Sequence, residues 1–371
     1  MAETSPEPGQ RAGAAGGDCL IVGAGLIGCS IGLALRAAGR TVWLRDAKPE
    51  MAAAAAAVGA GSVWSDSGGP ERSAIALVVV AVEPMALAEV VAEQLEACPG
   101  ATVTDVGSVK AAVLAELVER GADISRYVGS HPMAGSHRNG PLGARADLFL
   151  DRTWVITPHW REDFERTAEV EALARQCGSR VVLMSAADHD VAVAQVSHLP
   201  QLMSSMMAGR LNAVPYLNLS LAGQGVRDVT RVAASDPDLW GQIVALNREA
   251  VRVELERVQA DLADLIANLD NTRAVRRFIA RGRAGTQGLP GKHGRGRSDV
   301  WEPVVIEIPD QPGALAGIFA AVNRIGVNVE DVAIEHDAVR EVGFLTISVE
   351  GAERAAHLAS AMVEAGWKLG S

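Results

Sequence analysis

The chain has 371 residues, 49% of them hydrophobic and 21% charged, with a formal net charge of −11. This length calls for two or three domains with sizeable apolar cores, and the acidic balance argues against nucleic acid and anionic membranes as partners. No run of about 18 uncharged apolar residues occurs, so no membrane span is expected.

Residues 1–17 are rich in Ala, Gly, Pro and Glu and lack an apolar signal-peptide core. They are read as a disordered tail on a cytoplasmic protein. The first structured segment is the apolar run Leu20-Ile21-Val22, followed by Gly23-Ala24-Gly25-Leu26-Ile27-Gly28 and a helical pattern through Ile31, Leu33, Ala34 and Leu35. Gly39 stops that helix, and Thr41-Val42-Trp43-Leu44 reads as a second strand ending at Asp46. A GxGxxG run alone is weak; between a strand and a helix, with an acidic residue closing the next strand, it specifies a βαβ dinucleotide site. Gly23 allows the tight turn, Gly25 lets backbone approach a pyrophosphate, and Gly28 lets helix pack on strand. The phosphates are expected on the helix N-terminus, which favours anions. Asp46 can accept from ribose hydroxyls and repels a 2′-phosphate, which points to NAD. Arg45 beside it could pair with a 2′-phosphate and leaves NADP open. The expected cofactor-binding residues are Gly23, Gly25, Leu26, Ile27, Gly28, Asp46, Val82 and Ser108.

The alanine run 51–58 reads as a packing helix. Ala74–Val82 is a continuous apolar run of the kind buried in a parallel sheet, and strands are expected at 102–106, 154–157 and 180–184. The domain over 18–185 is therefore read as α/β, a Rossmann-type doubly wound sheet with extra strands. The pattern over 186–281 is all-α. Asp188 is read as the cap of a helix through Val191, Val193, Val196, Leu199, Leu202 and Met206. Leu239 to Leu269 reads as one long amphipathic stretch, too long to bury its stripe against a small domain, so it is expected to pack on a second subunit. Residues 282–300, Gly-rich and basic, read as a linker, with a phosphate-binding arm as the alternative. Beyond 301, strands at 304–308, 327–334 and 342–349, helices at 314–324 and 352–364 and a short end strand at 367–369 give a ferredoxin-like βαββαβ order. The four cysteines, Cys19, Cys29, Cys98 and Cys177, are scattered without CxxC spacing and read as buried free thiols.

Two segments stand at strand ends, where ligands bind in open α/β sheets: Asp105-Val106-Gly107-Ser108-Val109-Lys110 and Gly129-Ser130-His131-Pro132-Met133-Ala134-Gly135-Ser136. Glu83-Pro84 ends a third strand on the same edge. Ser108, Lys110 and His131 are thus expected to converge near the nicotinamide. His131 is the group there able to accept a proton near neutral pH. In the helical region, Asp188-His189-Asp190 makes a weak metal case, and no metal is expected. His189 is read as a helix-start residue and His198 as a packed, hydrogen-bonded one. Arg227 and Arg231, four apart on one helical face, suit a planar carboxylate; ion pairs with Asp228, Asp236 or Asp238 are the alternative.

Taken in order, the glycine fingerprint, Asp-Val-Gly-Ser-Val-Lys (105–110), Ser-His-Pro-Met-Ala-Gly-Ser (130–136), Ser-His-Leu-Pro-Gln (197–201) and Arg-Asp-Val-Thr-Arg-Val-Ala (227–233) resemble the prephenate dehydrogenase family over about residues 18–281. That family includes arogenate and cyclohexadienyl dehydrogenases. The resemblance implies a nucleotide domain, a helical dimerisation domain and an active site between them, in a homodimer. It implies His131 as catalytic base, with Ser108 orienting it and the nicotinamide. Arg231 would bind a substrate carboxylate, with Arg227, Ser197, Gln201 and Trp240 also on the substrate side. Gln201 departs from relatives that carry histidine there, which affects the polar contacts to the substrate side chain. Glu83 also departs, standing before Pro84 where an apolar residue is expected. The last 70 residues resemble an ACT domain, with Asp310, Gln311, Gly313 and Asn328 at the ligand turn, which implies regulation by an aromatic amino acid such as tyrosine.

The implied reaction is NAD-dependent oxidative decarboxylation of prephenate to 4-hydroxyphenylpyruvate in tyrosine biosynthesis, or the matching reaction of arogenate. A related 3-hydroxyacid dehydrogenase would need a helical Lys-Asn pair that the sequence does not offer convincingly. A non-catalytic NAD and amino-acid sensor is the alternative of another class. A base that works as neutral imidazole implies activity falling below roughly pH 6.5 unless the site shifts that value.

Overall fold

The computed structural model describes residues 17–65, 68–135, 140–287, 301–309, 311–337 and 342–370. Residues 1–16 of the expected tail, Ser136, Asp310 and residues 288–300 of the expected linker lie outside them. The chain forms two compact units, 1–270 and 271–371.

The first unit begins with β1 (Asp18–Val22), α1 (Leu26–Ala37), β2 (Val42–Arg45), α2 (Pro49–Ala57) and β3 (Ser62–Val63). It continues through β4 (Ile75–Val80), α3 (Leu87–Ala97), β5 (Thr102–Asp105), α4 (Ala111–Glu119) and β6 (Tyr127–Pro132), then β7 (Thr153–Thr157), α5 (Phe164–Gln176) and β8 (Arg180–Leu183). These strands make one sheet in the order β3-β2-β1-β4-β5-β6-β7-β8. All neighbours are parallel except β6 and β7. The order reverses between β1 and β4, the switch point at whose carboxyl edge a crevice opens. The apolar run around β4 explains its central place: Val78, Val79 and Val80 are fully buried, with helices covering both faces. The four cysteines are buried free thiols, and burial pushes Cys19 up to about 12 and Cys29 to about 11.

A helical array completes this unit: α6 (Ala186–Val193), a π-helical turn at Ala194–His198, α7 (Leu199–Leu211), α8 (Tyr216–Leu219), α9 (Gln224–Thr230), α10 (Pro237–Leu246) and α11 (Arg248–Ala267). Two sequence expectations need correction. Ser185, not Asp188, caps α6: its hydroxyl accepts from the Asp188 N–H at 3.0 Å. The stretch 239–269 is not one helix but two, α10 and α11, broken at Asn247, whose side chain is buried and turned to inward partners.

The second unit opens with α12 (Thr272–Gln287), so residues 282–287 of the expected linker are helical. Then come β9 (Trp301–Pro309), α13 (Ala314–Ile325), β10 (Asp331–Asp337), β11 (Val342–Glu350) and α14 (Ala352–Glu364). The sheet is antiparallel in the order β10-β11-β9, and the end strand expected at 367–369 is present as a single bridge between Ile306 and Leu369. Ile306, Ile318, Leu345, Ile347, Val349, Leu358 and Met362 give this unit its own core. β10 begins at Asp331 rather than Val327. Asn328 therefore lies in the preceding loop, its amide donating to Glu330 at 2.6 Å. Among the described residues no helix is long and apolar enough to cross a membrane.

Candidate active site

At the switch point three glycines set the shape of the turn between β1 and α1. Gly23 sits at φ +100°, and a Cβ there would come within 2.2 Å of the Ala81 carbonyl oxygen. A Cβ on Gly28 would fall 2.0 Å from the Gly23 oxygen, so the first turn of α1 can pass under the loop only with glycine. A Cβ on Gly25, by contrast, would meet nothing within 4 Å. Helix α1 starts there with no side-chain cap and no acidic residue in its first turn, which leaves its N–H groups and dipole for a phosphate.

Asp46, just past β2, is held on both oxygens: Ala24 N–H donates to Oδ2 at 2.7 Å and Lys48 N–H to Oδ1 at 2.9 Å. Gly23, Gly25, Arg45, Asp46 and Val82 line one cleft of about 640 Å³. Arg45 is drawn over the Trp64 ring, 5.6 Å from its centroid. Uncapped helix, open glycine and fixed carboxylate fit a dinucleotide's pyrophosphate and ribose.

His131 is the fifth residue of β6, inside the strand rather than after it, and is half-buried. Its Nδ1 lies 2.9 Å from Nε2 of His189 on α6, the rings edge to face at 5.2 Å between centroids. His189 is fully buried, and its Nδ1 is 2.8 Å from Asp190 Oδ1. Asp190 in turn holds the N-terminus of α4, accepting from Lys110 N–H on Oδ1 and Ala111 N–H on Oδ2, each at 2.9 Å. Asn247 closes the cluster: its amide donates to the Asp190 carbonyl at 2.7 Å and lies 3.1 Å from His198 Nδ1. Burial, then His189, Lys110 and His198, hold His131 well below the usual imidazole range. Burial brings His198 down to about 4.

Several sequence expectations change here. Among the described residues no hydrogen bond joins Ser108 to His131, whose Nδ1 is instead engaged by His189. Lys110 is already engaged, its ammonium buried on Asp105 and the Ser130 carbonyl. Tyr127 shares Asp105, donating at 2.8 Å, and burial pushes its phenol well up. His189 is a helix-start residue in position but a buried link in function. The signal was present: Ala186, His189, Asp190 and Val193 are the buried stripe of α6, at helical spacing. Asn247, hidden in the long amphipathic pattern, had no such signal.

On the substrate side, Gln201 and Trp240 line a second pocket of about 310 Å³. Ser235 Oγ donates to Gln201 Oε1 at 3.4 Å, and Trp240 packs edge-on to His198 at 5.9 Å. Ser197 is half-buried in the π-helical turn. Arg227 and Arg231 are exposed on the continuous stretch of α9 and the 3-10 turn after it. Neither forms an ion pair among the described residues: Asp228 accepts from Gln224 and Asp236 caps α10. Glu83 is used structurally, accepting from Gln242 of α10 at 3.1 Å, while Met85 N–H donates back to Gln242.

Comparison with known proteins agrees with this geometry. Residues 31–183 match the family model for the prephenate dehydrogenase nucleotide-binding domain, and residues 185–279 match that for the prephenate dehydrogenase dimerization domain. A probable prephenate dehydrogenase, NovF, of Streptomyces niveus is 33% identical, over 89% of this chain and 93% of that protein. The prephenate dehydrogenase of Bacillus subtilis is 26% identical over 89% and 91%. The crystal structure of Aquifex aeolicus prephenate dehydrogenase with hydroxyphenyl propionate and NAD+ superposes with a TM-score of 0.66, at 27% identity, over 74% of this chain and 99% of that one. With both family domains matched in order along the chain and relatives of this name similar over most of its length, the chain belongs to the prephenate dehydrogenase family and is an NAD-dependent dehydrogenase.

Proposed function

We propose that the chain oxidises and decarboxylates prephenate to 4-hydroxyphenylpyruvate in tyrosine biosynthesis, with His131 as the base. The observation that carries this reading is the hydrogen bonding of His131. Its Nδ1 is engaged by His189, and its Nε2 has no partner among the described residues. A half-buried imidazole kept neutral, with no partner on Nε2 among the described residues, is suited to accept a hydroxyl proton.

Bound NAD supplies the hydride acceptor. The N–H groups of Leu26 and Ile27 at the start of α1 would hold its pyrophosphate, Asp46 would accept from its ribose hydroxyls, and Val82 and Ser108 would serve its nicotinamide end. His131 Nε2 removes the proton of the C4 hydroxyl as the hydride leaves C4. The C1–carboxylate bond breaks to release carbon dioxide, its electron pair completes the aromatic ring and passes to the C4 oxygen, and that oxygen takes the proton back from His131 to give the phenol, so the protein's task is orientation and charge neutralisation. Arg231, with Arg227 beside it, pairs with a substrate carboxylate. Gln201, Ser197 and Trp240 line the side-chain end, where Gln201 offers a neutral amide to the pyruvyl group.

The relatives named prephenate dehydrogenase in Bacillus subtilis and Lactococcus lactis favour prephenate over arogenate. The C-terminal unit is read as a regulatory ACT domain that binds tyrosine. Its support is a core of its own and the antiparallel βαββα order, with Gln311 and left-handed Gly313 at the turn before α13. The curated relatives match over 89% of the chain, beyond the 270 residues of the first unit. Absorbance of NADH at 340 nm, with purified prephenate and arogenate in turn, tests the substrate assignment.

A further inference from the structure

His131 does not stand alone but ends a buried line of three side chains whose far end is anchored in another element. Asp190 receives two backbone N–H groups at the start of α4, one on each carboxylate oxygen. A carboxylate so held can only accept, so His189 must place its proton on Nδ1 to donate to Oδ1. A neutral His189 with Nδ1–H presents a lone pair at Nε2. His131 must then donate to it through its own Nδ1–H, at 2.9 Å. The lone pair of His131 is left on Nε2, the nitrogen without a partner among the described residues. Each choice follows from the one before it, and the first is made by backbone.

We infer that Asp190 and His189 are positioning residues that fix His131 as its Nδ1–H tautomer and so make Nε2 the proton acceptor. The inference rests on the reading of His131 as base and adds what sets its direction. The alternative tautomer would put the proton on Nε2, facing the substrate hydroxyl with a donor and disabling proton removal. Asp190 and His189 belong to α6 while the carboxylate caps α4 and His131 lies on β6, so the same line fixes the helical segment against the nucleotide domain at the reacting end. The charged and titratable groups around His131 are His189 and Asp190 from α6, Lys110 before α4 and His198 from the π-helical turn. Asp105 beneath them is occupied by Lys110 and Tyr127.

The test uses the full chain, labelled with 15N-histidine, and Asp190→Asn. Imidazole 15N shifts, assigned by the signals lost in His131→Asn, should show His131 with a protonated Nδ1 and a bare Nε2. A protonated Nε2 in the wild-type chain overturns the inference, whether or not any variant folds. In Asp190→Asn, the side chain can donate to His189 and reverse the line. The expected result is a fall in kcat of about 100-fold or more, the size of a lost positioned base, with KM for prephenate and NAD within about threefold. The pair His131→Asn/Asp190→Asn should be no slower than His131→Asn alone. Losses that multiply, or an Asp190→Asn kcat within threefold of wild type, contradict the inference. If His131→Asn keeps its activity while the 15N pattern is as expected, the assignment of the base fails and the tautomer line stands, so the two failures are distinguishable.

Discussion

Asp46 reaches back across the glycine turn to take the N–H of Ala24 at 2.7 Å, so the residue assigned to the ribose also holds the phosphate loop in shape. Asp46→Ala should raise KM for NAD by about 10- to 100-fold, as expected for lost charge-assisted hydrogen bonds. It should also narrow the preference for NAD over NADP, because the carboxylate's repulsion goes and Arg45 stays. An unchanged ratio of kcat/KM for the two cofactors would place the ribose elsewhere.

His131→Asn should fold and bind NAD while losing about 100-fold or more in kcat. If a tenth of normal turnover remained, His131 would not be the base. The acid limb of kcat/KM follows from the same residue. Burial and the neighbouring His189, Lys110 and His198 disfavour imidazolium at His131. The free chain therefore keeps the working neutral form at acidity where an ordinary imidazole, near 6.5, would be protonated. Activity should persist below pH 6.5 and fall only at lower pH, where an acid limb centred at 6.5 or above would count against the site as described.

Much of this was legible in the sequence, because backbone demands leave marks on residue type. Gly23 and Gly28 could be read as necessary without coordinates, and the approach of each to backbone oxygen explains why. The central strands β1 and β4 were readable from their apolar runs, whereas β3 and β6, short or polar, carry no such run. His131 was picked out by its place near the end of a strand, though it lies inside β6 rather than after it. What was not legible is the path of side chains between distant segments. Lys110 beside the Gly-Ser turn looks available for substrate, yet it is 1% exposed and bound to Asp105 five residues earlier. Asn247 looks like one more polar residue in an amphipathic run, yet it stops a helix and ties α11 to the Asp190 carbonyl. Such links depend on tertiary distance, which periodicity does not encode.

Arg231→Ala should mainly raise KM for prephenate, with a smaller change in kcat, because it removes a partner of a carboxylate carried by substrate and transition state alike. The guanidinium is exposed and forms no ion pair among the described residues, so a stability effect beyond about 0.5 kcal/mol is unexpected. An unchanged KM would move the carboxylate contact, with Arg227, one helical turn away, first in line.

Tyrosine should inhibit the full chain, and a chain ending near residue 290, which keeps α12, should remain active and insensitive. The core of the second unit is its own, so its removal takes no buried residue of the nucleotide sheet. A ligand there can act on the catalytic unit only through different affinities for two states. Inhibition that survives the deletion unchanged would make tyrosine a product-like competitor and remove the regulatory assignment.

The most direct test of the whole account is the specificity constant for prephenate and for arogenate, measured with NAD on the purified full chain by NADH absorbance. The account predicts NADH formed with prephenate in equal amount to carbon dioxide released, and a higher kcat/KM for prephenate than for arogenate. A higher constant for arogenate would contradict the substrate assignment, and no turnover of either would contradict the function itself.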